Sequence, residues 1–198
     1  MPPIDTEWVQ TELAAIGQAH EAITKGKRLE RLVTLIFGRN PGLILEDQDV
    51  VSSYRTQEID LYYFNRRDPN GLHFLDCPLI VECKGWSGPV DGREIRYFAD
   101  LLRDRGRRDG IFIALNGITG RPDTPTAGFY HVATALASGQ LVLVVTGEDL
   151  RKACRPADLV TLSQRRMLDH VKSQILAVER AGEGQPSTQR PRRKRPRP

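Results

Sequence analysis

Residues Leu79 to Trp86 read Leu-Ile-Val-Glu-Cys-Lys-Gly-Trp, an apolar β-type run that carries a carboxylate and an ammonium two positions apart. Side chains alternate along a strand, so Glu82 and Lys84 share one face while Val81, Cys83 and Gly85 take the other. A charged pair within a segment apolar enough to be buried is costly unless each charge meets a partner or a metal. Two arrangements satisfy that requirement. One is a solvated sheet face with a cross-strand ion pair, the ordinary fate of charged residues; the other is a polar site built into the sheet.

The upstream sequence bears on the choice. Glu58 to Asn65, Glu-Ile-Asp-Leu-Tyr-Tyr-Phe-Asn, is a second β-type run rich in aromatic and branched residues. Alternation places Glu58, Asp60, Tyr62 and Phe64 on one of its faces. Asp68-Pro69-Asn70-Gly71 between the runs is a strong turn signal, so the runs are expected to pair as an antiparallel hairpin with Asp60 beside Glu82 and Lys84. Two carboxylates on adjacent strands are hard oxygen ligands suited to Mg²⁺ or Mn²⁺. A lysine beside them can orient or deprotonate an attacking water and steady charge on a phosphate.

With Asp60 in Glu-Ile-Asp, Glu82-Cys83-Lys84 in Val-Glu-Cys-Lys, and Glu30 in the preceding helical segment Lys25 to Gly38, the chain resembles the PD-(D/E)xK nuclease superfamily, in particular its Mrr-like restriction endonuclease branch. The resemblance runs from about Lys25 to Gly147 and includes the order of elements; Ile59 stands where the superfamily often carries proline. It implies a restriction-endonuclease-like α/β fold, a mixed central β-sheet flanked by helices with an αβββαβ-type core. It also implies that Asp60 and Glu82 bind a divalent metal, Mg²⁺ or Mn²⁺, together with the backbone carbonyl of Cys83. Lys84 would then position or activate the water, and Glu30 would support the metal's water shell.

The helical segment can be read independently. Leu29, Leu32, Val33, Ile36 and Phe37 make an amphipathic stripe that ends at the breakers Gly38 to Gly42. Glu30 lies at the border of that stripe, where it faces either a site or water. Arg93 to Arg105 reads as a helix with Ile95, Phe98, Ala99 and Leu102 inward, and Asp109 to Gly117 reads as a buried strand. Thr124-Pro125 is expected to open the next helix, which stops near Gly139. Leu141 to Gly147 is another apolar strand, and a last helix is expected from about Pro156 to Ala181. Asp5 to Lys25 also reads helical. From the residues alone the order is helix, strand, strand, helix, strand, helix, strand, a mixed sheet with helices on its faces. The expected division is an N-terminal helical extension (1–24), a nuclease domain (25–182) and a disordered basic tail (183–198).

The hydrophobic fraction, 39% of 198 residues, suffices for one core. No apolar run approaches a membrane span and no signal peptide opens the chain, so a cytoplasmic protein without membrane contact is expected. Cys77, Cys83 and Cys154 lack metal-ligand spacing and read as reduced thiols. His20, His73, His131 and His170 are scattered and form no ligand pattern.

The tail Pro186 to Pro198 carries Arg190, Arg192, Arg193, Lys194, Arg195 and Arg197 with no acidic residue; without those six the formal net charge of +4 falls to about −2. Such a tail either holds nucleic acid through its phosphates or only solubilises the chain. Arg103, Arg105, Arg107 and Arg108 form a second basic cluster, either a phosphate-contacting patch or a solvated helix end.

Three functions fit these features. The favoured one is a metal-dependent endonuclease hydrolysing phosphodiester bonds of DNA, in restriction or anti-phage defence. The others are a catalytically silent nucleic-acid-binding or scaffold module of the same fold, and a nuclease acting on RNA. No zinc-finger spacing or Walker loop supplies specificity, so a nuclease of this kind cuts with little sequence preference or borrows targeting from a partner protein. Duplex cleavage by a subunit with one site would call for a homodimer.

Overall fold

The computed structural model describes residues 4–51, 58–121 and 126–183, and for 173–183 the helical backbone only. The basic tail and Thr124-Pro125 lie outside the described residues.

Five strands form one sheet in the order β1-β2-β3-β4-β5: β1 (Leu43–Val51), β2 (Glu58–Asn65), β3 (Leu79–Lys84), β4 (Asp109–Ala114) and β5 (Leu141–Thr146). β1, β2 and β3 are antiparallel neighbours, whereas β3, β4 and β5 run parallel. The parallel half is connected by α3 (Gly92–Asp104) and α4 (Ala127–Ala137), which cover one face. Ile95, Phe98, Leu102 and Val132 pack there on Ile80, Phe112, Val142 and Val144. The other face carries α1 (Thr6–Gln18), α2 (Ala22–Phe37), α5 (Gly147–Lys152) and the start of α6 (Pro156–Glu183). Leu29, Val33 and Phe37 of α2 bury themselves there against Leu61, Val81, Ile111 and Val145. This three-layer arrangement explains why β4 and β5 read as unbroken apolar runs: both of their faces are covered.

Four elements differ from the reading of the residues. β1 was absent from it, although the αβββαβ core implied by the resemblance has a place for this strand. Its centre, Glu46-Asp47-Gln48-Asp49, is polar; its register shifts between Leu45 and Asp47, and Asp49 has φ 56°. A bulge and a left-handed residue together destroy the two-residue period on which strand recognition rests. The N-terminal stretch is two helices, because the backbone is extended at Ala19 and Glu21. α4 starts at Ala127, with Thr126 as its N-cap residue. The short α5 is an additional helix, opened by a capping box between Thr146 and Asp149.

The β2–β3 link is also longer than a tight hairpin. The Asp68–Gly71 turn is present, with Gly71 N–H donating to Asp68 O at 2.8 Å. Pairing covers Leu61↔Val81, Tyr62↔Ile80 and Tyr63↔Leu79, so the link spans Arg66 to Pro78. Buried Asn65 organises it: Nδ2 donates to the carbonyls of Leu72 (2.9 Å) and Leu75 (3.2 Å), and Oδ1 accepts from Arg67 N–H (3.0 Å). Replacing Asn65 by Leu leaves these backbone groups unpaired, at about 1–3 kcal/mol for each buried polar group that finds no new partner. Urea denaturation of Asn65→Leu is therefore expected to show a loss of about 2–4 kcal/mol, with the far-UV circular dichroism of the native protein unchanged.

Candidate active site

The site forms at the carboxyl end of β3, the place where open α/β sheets characteristically bind ligands. The backbone ladder between β2 and β3 ends at Leu61↔Val81. One step further, a side chain takes over: Asp60 Oδ2 accepts the N–H of Cys83 at 2.6 Å. Around this point β2 does not keep strict alternation. Ile59 packs into the α3/α4 cluster, whereas Leu61, two residues on, packs into the α1/α2 cluster. Asp60 and Glu82 are thus brought together by the parting of two strands and one hydrogen bond, more than by a shared sheet face.

Lys84 lies at the centre of the acidic groups. Its ammonium is 2.6 Å from Glu82 Oε1 and 3.5 Å from Glu94 Oε2. Glu94 comes from the first turn of α3, one layer of the fold, while Glu30 comes from α2 in the other. Glu30 is only 9% exposed and pairs with Lys27 at 2.9 Å; Lys27 also pairs with Asp49 of β1. Of the four residues expected from the sequence, Glu82 and Lys84 are in contact, Asp60 is hydrogen-bonded to Cys83 between them, and Glu30 is near enough to act on Asp60 electrostatically. Glu30 faces inward.

Burial dominates the electrostatics. It raises Asp60 to about 6, against the Cys83 hydrogen bond and the Lys84 charge, which pull the other way. Burial and then the neighbouring Asp60 charge raise Glu82 to about 7. Burial alone would lower Lys84, but Glu82, Asp60 and Glu94 outweigh it and hold the ammonium protonated well above its ordinary range. The Cys83 thiol is pushed up by burial and by Asp60, Glu82 and Glu30, which makes it an inert packing group.

Sequence reasoning missed Glu94, Lys27 and Asp49. An acidic residue in a first turn is explained by helix capping alone, so Glu94 carried no distinguishing signal. Lys27 and Glu30 form an i,i+3 pair visible in the sequence, but only the unrecognised strand β1 connects them to Asp49.

Three arginines of the cluster at the far end of α3 have partners within the fold, while the side chains of Arg103 and Arg108 stay largely exposed. Arg103 pairs with Asp100 at 2.8 Å, Arg107 donates to Cys77 O at 2.8 Å, and Arg108 lies 3.6 Å from Asp76. It sits where β4 begins, at the end of the parallel strands opposite to Lys84.

The family described as restriction endonuclease, of the Mrr catalytic type, matches residues 22–154. The chain belongs to the Mrr-like restriction endonuclease family. The match includes α2, all five strands, α3, α4 and α5, and hence every residue of the cluster. No curated protein matches the chain. Membership makes this an endonuclease-type domain acting on DNA, with the restriction-endonuclease-like mixed sheet described above. Among the described residues, no helix is long and apolar enough to cross a membrane.

Mrr-like and related nucleases generally use a divalent metal ion. Among the described residues, no group of three or more His, Cys, Asp and Glu side chains is preassembled to hold one. The donor chemistry nevertheless fits a hard cation. Asp60 and Glu82 are buried carboxylates whose anionic forms are penalised, and added positive charge would relieve that penalty.

Raised carboxylate pKa values have a defined effect on stability. Asp60 and Glu82 bind protons more tightly folded than unfolded, as does Asp109, raised to about 6 by burial. Their contribution is therefore fully present below the ordinary carboxylate range, near 4, and is lost as pH rises through the folded values of about 6 to 7. In EDTA, Asp60→Asn and Glu82→Gln are each expected to flatten the fall in melting temperature between pH 5 and 8. Each should leave the protein more stable than wild type at pH 8, by on the order of 1–2 kcal/mol. Calorimetry across that pH range checks it.

Proposed function

We propose that this chain is a divalent-metal-dependent endonuclease that hydrolyses phosphodiester bonds of DNA at the Asp60–Glu82–Lys84 cluster. The observation that carries the reading is the convergence of Asp60, held on Cys83 N–H, with the Glu82–Lys84 pair at 2.6 Å, inside a domain of restriction endonuclease type. Asp60, Glu82 and the backbone carbonyl of Cys83 would hold the cation, Mg²⁺ or Mn²⁺. When bound, such an ion neutralises phosphate charge and makes water a better nucleophile.

The protein's own groups do the rest. Cys83 N–H fixes the Asp60 carboxylate, so one ligand is oriented before substrate arrives. Lys84 stays protonated, which suits it to donating hydrogen bonds to a phosphate oxygen and the attacking water; it is a poor general base at neutral pH. Glu94 restrains the lysine from the α3 side. Glu30, close enough to act on Asp60 electrostatically, supports the water shell of the cation from α2. We assign the activity to restriction or anti-phage defence, with target choice supplied by a partner protein and double-strand cleavage by a homodimer.

Plasmid cleavage with Mg²⁺, Mn²⁺ or EDTA tests the reading. Wild type should cut with either metal and not in EDTA. Asp60→Asn and Lys84→Ala should each reduce cleavage at least about 100-fold, as expected when a positioned acid–base or charge-stabilising group is lost. Only Asp60→Asn should also weaken Mg²⁺ binding, measured by calorimetry. Glu30→Gln should lose about 10–100-fold, the usual effect of an outer-shell group. Wild-type cleavage in all three variants would place the site elsewhere. DNA binding without any cleavage would instead establish a silent module, and preference for RNA would change the substrate.

The tail residues Arg190, Arg192, Arg193, Lys194, Arg195 and Arg197 are proposed to contact DNA phosphates. Removing Pro186 to Pro198 should weaken duplex binding and flatten its dependence on salt, since each neutralised phosphate contributes about 0.9 to the log–log slope. The melting temperature should not move. Equal slopes with and without the tail would reduce it to a solubilising segment.

A further inference from the structure

A cavity of about 460 Å³ opens beside the acidic cluster, between the start of α2 and the segment that follows β3. Lys84 forms part of its wall, while its ammonium pairs with Glu82 in the cluster, so the cavity and the cluster share this side chain. Its polar and aromatic lining otherwise comes from His20, Lys25, Trp86 and Ser87, set among the small residues Ala22, Gly26, Cys83 and Gly85, and no acidic residue lines it.

Lys25 is the informative residue. It is only 9% exposed, yet no carboxylate lies within ion-pairing distance among the described residues; its ammonium donates to Ser87 Oγ at 2.6 Å. A lysine held by a hydroxyl on the wall of the cavity, with no carboxylate to pair it, offers its charge to an anion that enters there. The local backbone is built to keep the lysine there. Gly85 brings the end of β3 against the first turn of α2, where a Cβ would stand 3.1 Å from the Lys25 carbonyl oxygen. Asn116 Nδ2 donates to Trp86 O at 2.6 Å and fixes the loop, leaving the indole 39% exposed. The first turn of α2 adds backbone N–H groups that no side chain caps, since Glu21 turns its carboxylate to Thr24 Oγ1 at 3.1 Å.

We propose that this cavity is a subsite for one nucleotide of the DNA strand next to the scissile phosphodiester, with Lys25 and Ser87 holding its phosphate and Trp86 stacking its base. The volume suits a single nucleotide, being within the usual range of small-ligand pockets. An exposed indole beside a phosphate-binding cation is the combination by which proteins hold unpaired bases without reading their identity. The proposal rests on the nuclease reading above for the position of the scissile bond, and it assigns Lys25, Ser87 and Trp86 to substrate binding.

The test uses the full chain carrying Trp8→Phe, so that Trp86 is the single indole reporter. In EDTA, thymidine 5′-monophosphate should quench its fluorescence saturably, and inorganic phosphate should compete. Lys25→Gln should weaken that binding about tenfold. With a single-stranded oligonucleotide, the same substitution should reduce the log–log salt slope by about 0.7, one phosphate contact. Trp86→Ala should weaken oligonucleotide binding and leave the salt slope unchanged; it serves as the second variant if Lys25→Gln fails to fold. Absence of quenching, or binding that neither Lys25→Gln nor Trp86→Ala changes, overturns the subsite. Plasmid cleavage by the wild type, run in parallel, separates the two readings. A protein that cuts DNA with an unaltered Lys25→Gln salt slope keeps its active site and loses the subsite. One that never cuts but shows the Lys25-dependent slope keeps the nucleotide pocket and loses the nuclease reading.

Discussion

The Cys83 N–H bond to Asp60 Oδ2, 2.6 Å long, is made where two strands stop pairing, and the organisation of the site depends on it. Beyond Leu61↔Val81 the main chains of β2 and β3 separate, which would leave a buried N–H without an acceptor. Asp60 supplies that acceptor and is thereby fixed at the base of the opening. The same bond lowers its carboxyl's tendency to take up a proton, without overcoming the opposite effect of burial. An anion is consequently held in a place that disfavours anions. Lys84 offsets part of the cost, drawn in by Glu82 and by Glu94 from the helix above.

The layers of the fold explain why those partners are available. β3 is followed at once by the crossover that forms α3, so Glu94 returns over the carboxyl end of the strand that carries Glu82 and Lys84. α2 lies across the opposite face and delivers Glu30 from the border of its apolar stripe. No single element contains the site. Its precision derives from packing: Leu29 and Val33 seat α2 on Val81 and Cys83, and Ile95 and Phe98 seat α3 on Ile80 and Phe112.

Glu82 and Lys84 were legible because charges in an apolar strand are conspicuous, and β4 and β5 because doubly covered strands are uniformly apolar. Asp60 and Glu30 were recognisable from the family resemblance, through their order relative to Glu82-Cys83-Lys84; the border position of Glu30 by itself left its direction open. β1 was hidden by its own bulge and by four consecutive polar residues, Glu46 to Asp49. Strict alternation also predicted too much: it placed Asp60 by face, whereas Ile59 and Leu61 on either side of it pack into different layers. Lys25 gave no signal at all. A lysine near a helix start is ordinarily a surface residue, whereas here Gly85 and Ser87 close over it.

The acidic cluster and the cavity beside it at the end of β3 differ in charge, and Lys84 belongs to both. Toward Asp60 and Glu82 the surroundings are acidic; toward Lys25 and Trp86 they are basic. Its ammonium at 2.6 Å from Glu82 acts as the counter-charge of the acidic side. A divalent ion held by Asp60 and Glu82 would relieve Lys84 of that duty and leave the ammonium to a phosphate on the side of Lys25. Lys84 would then favour the phosphate because Glu82 had another partner, and Glu82 would hold the ion more readily with Lys84 turned to the phosphate. Equilibrium coupling of this kind is reciprocal, so DNA should tighten metal binding by the same factor as metal tightens DNA binding. A lysine shared between a carboxylate cluster and a phosphate pocket is sufficient to produce it, with no movement of the backbone.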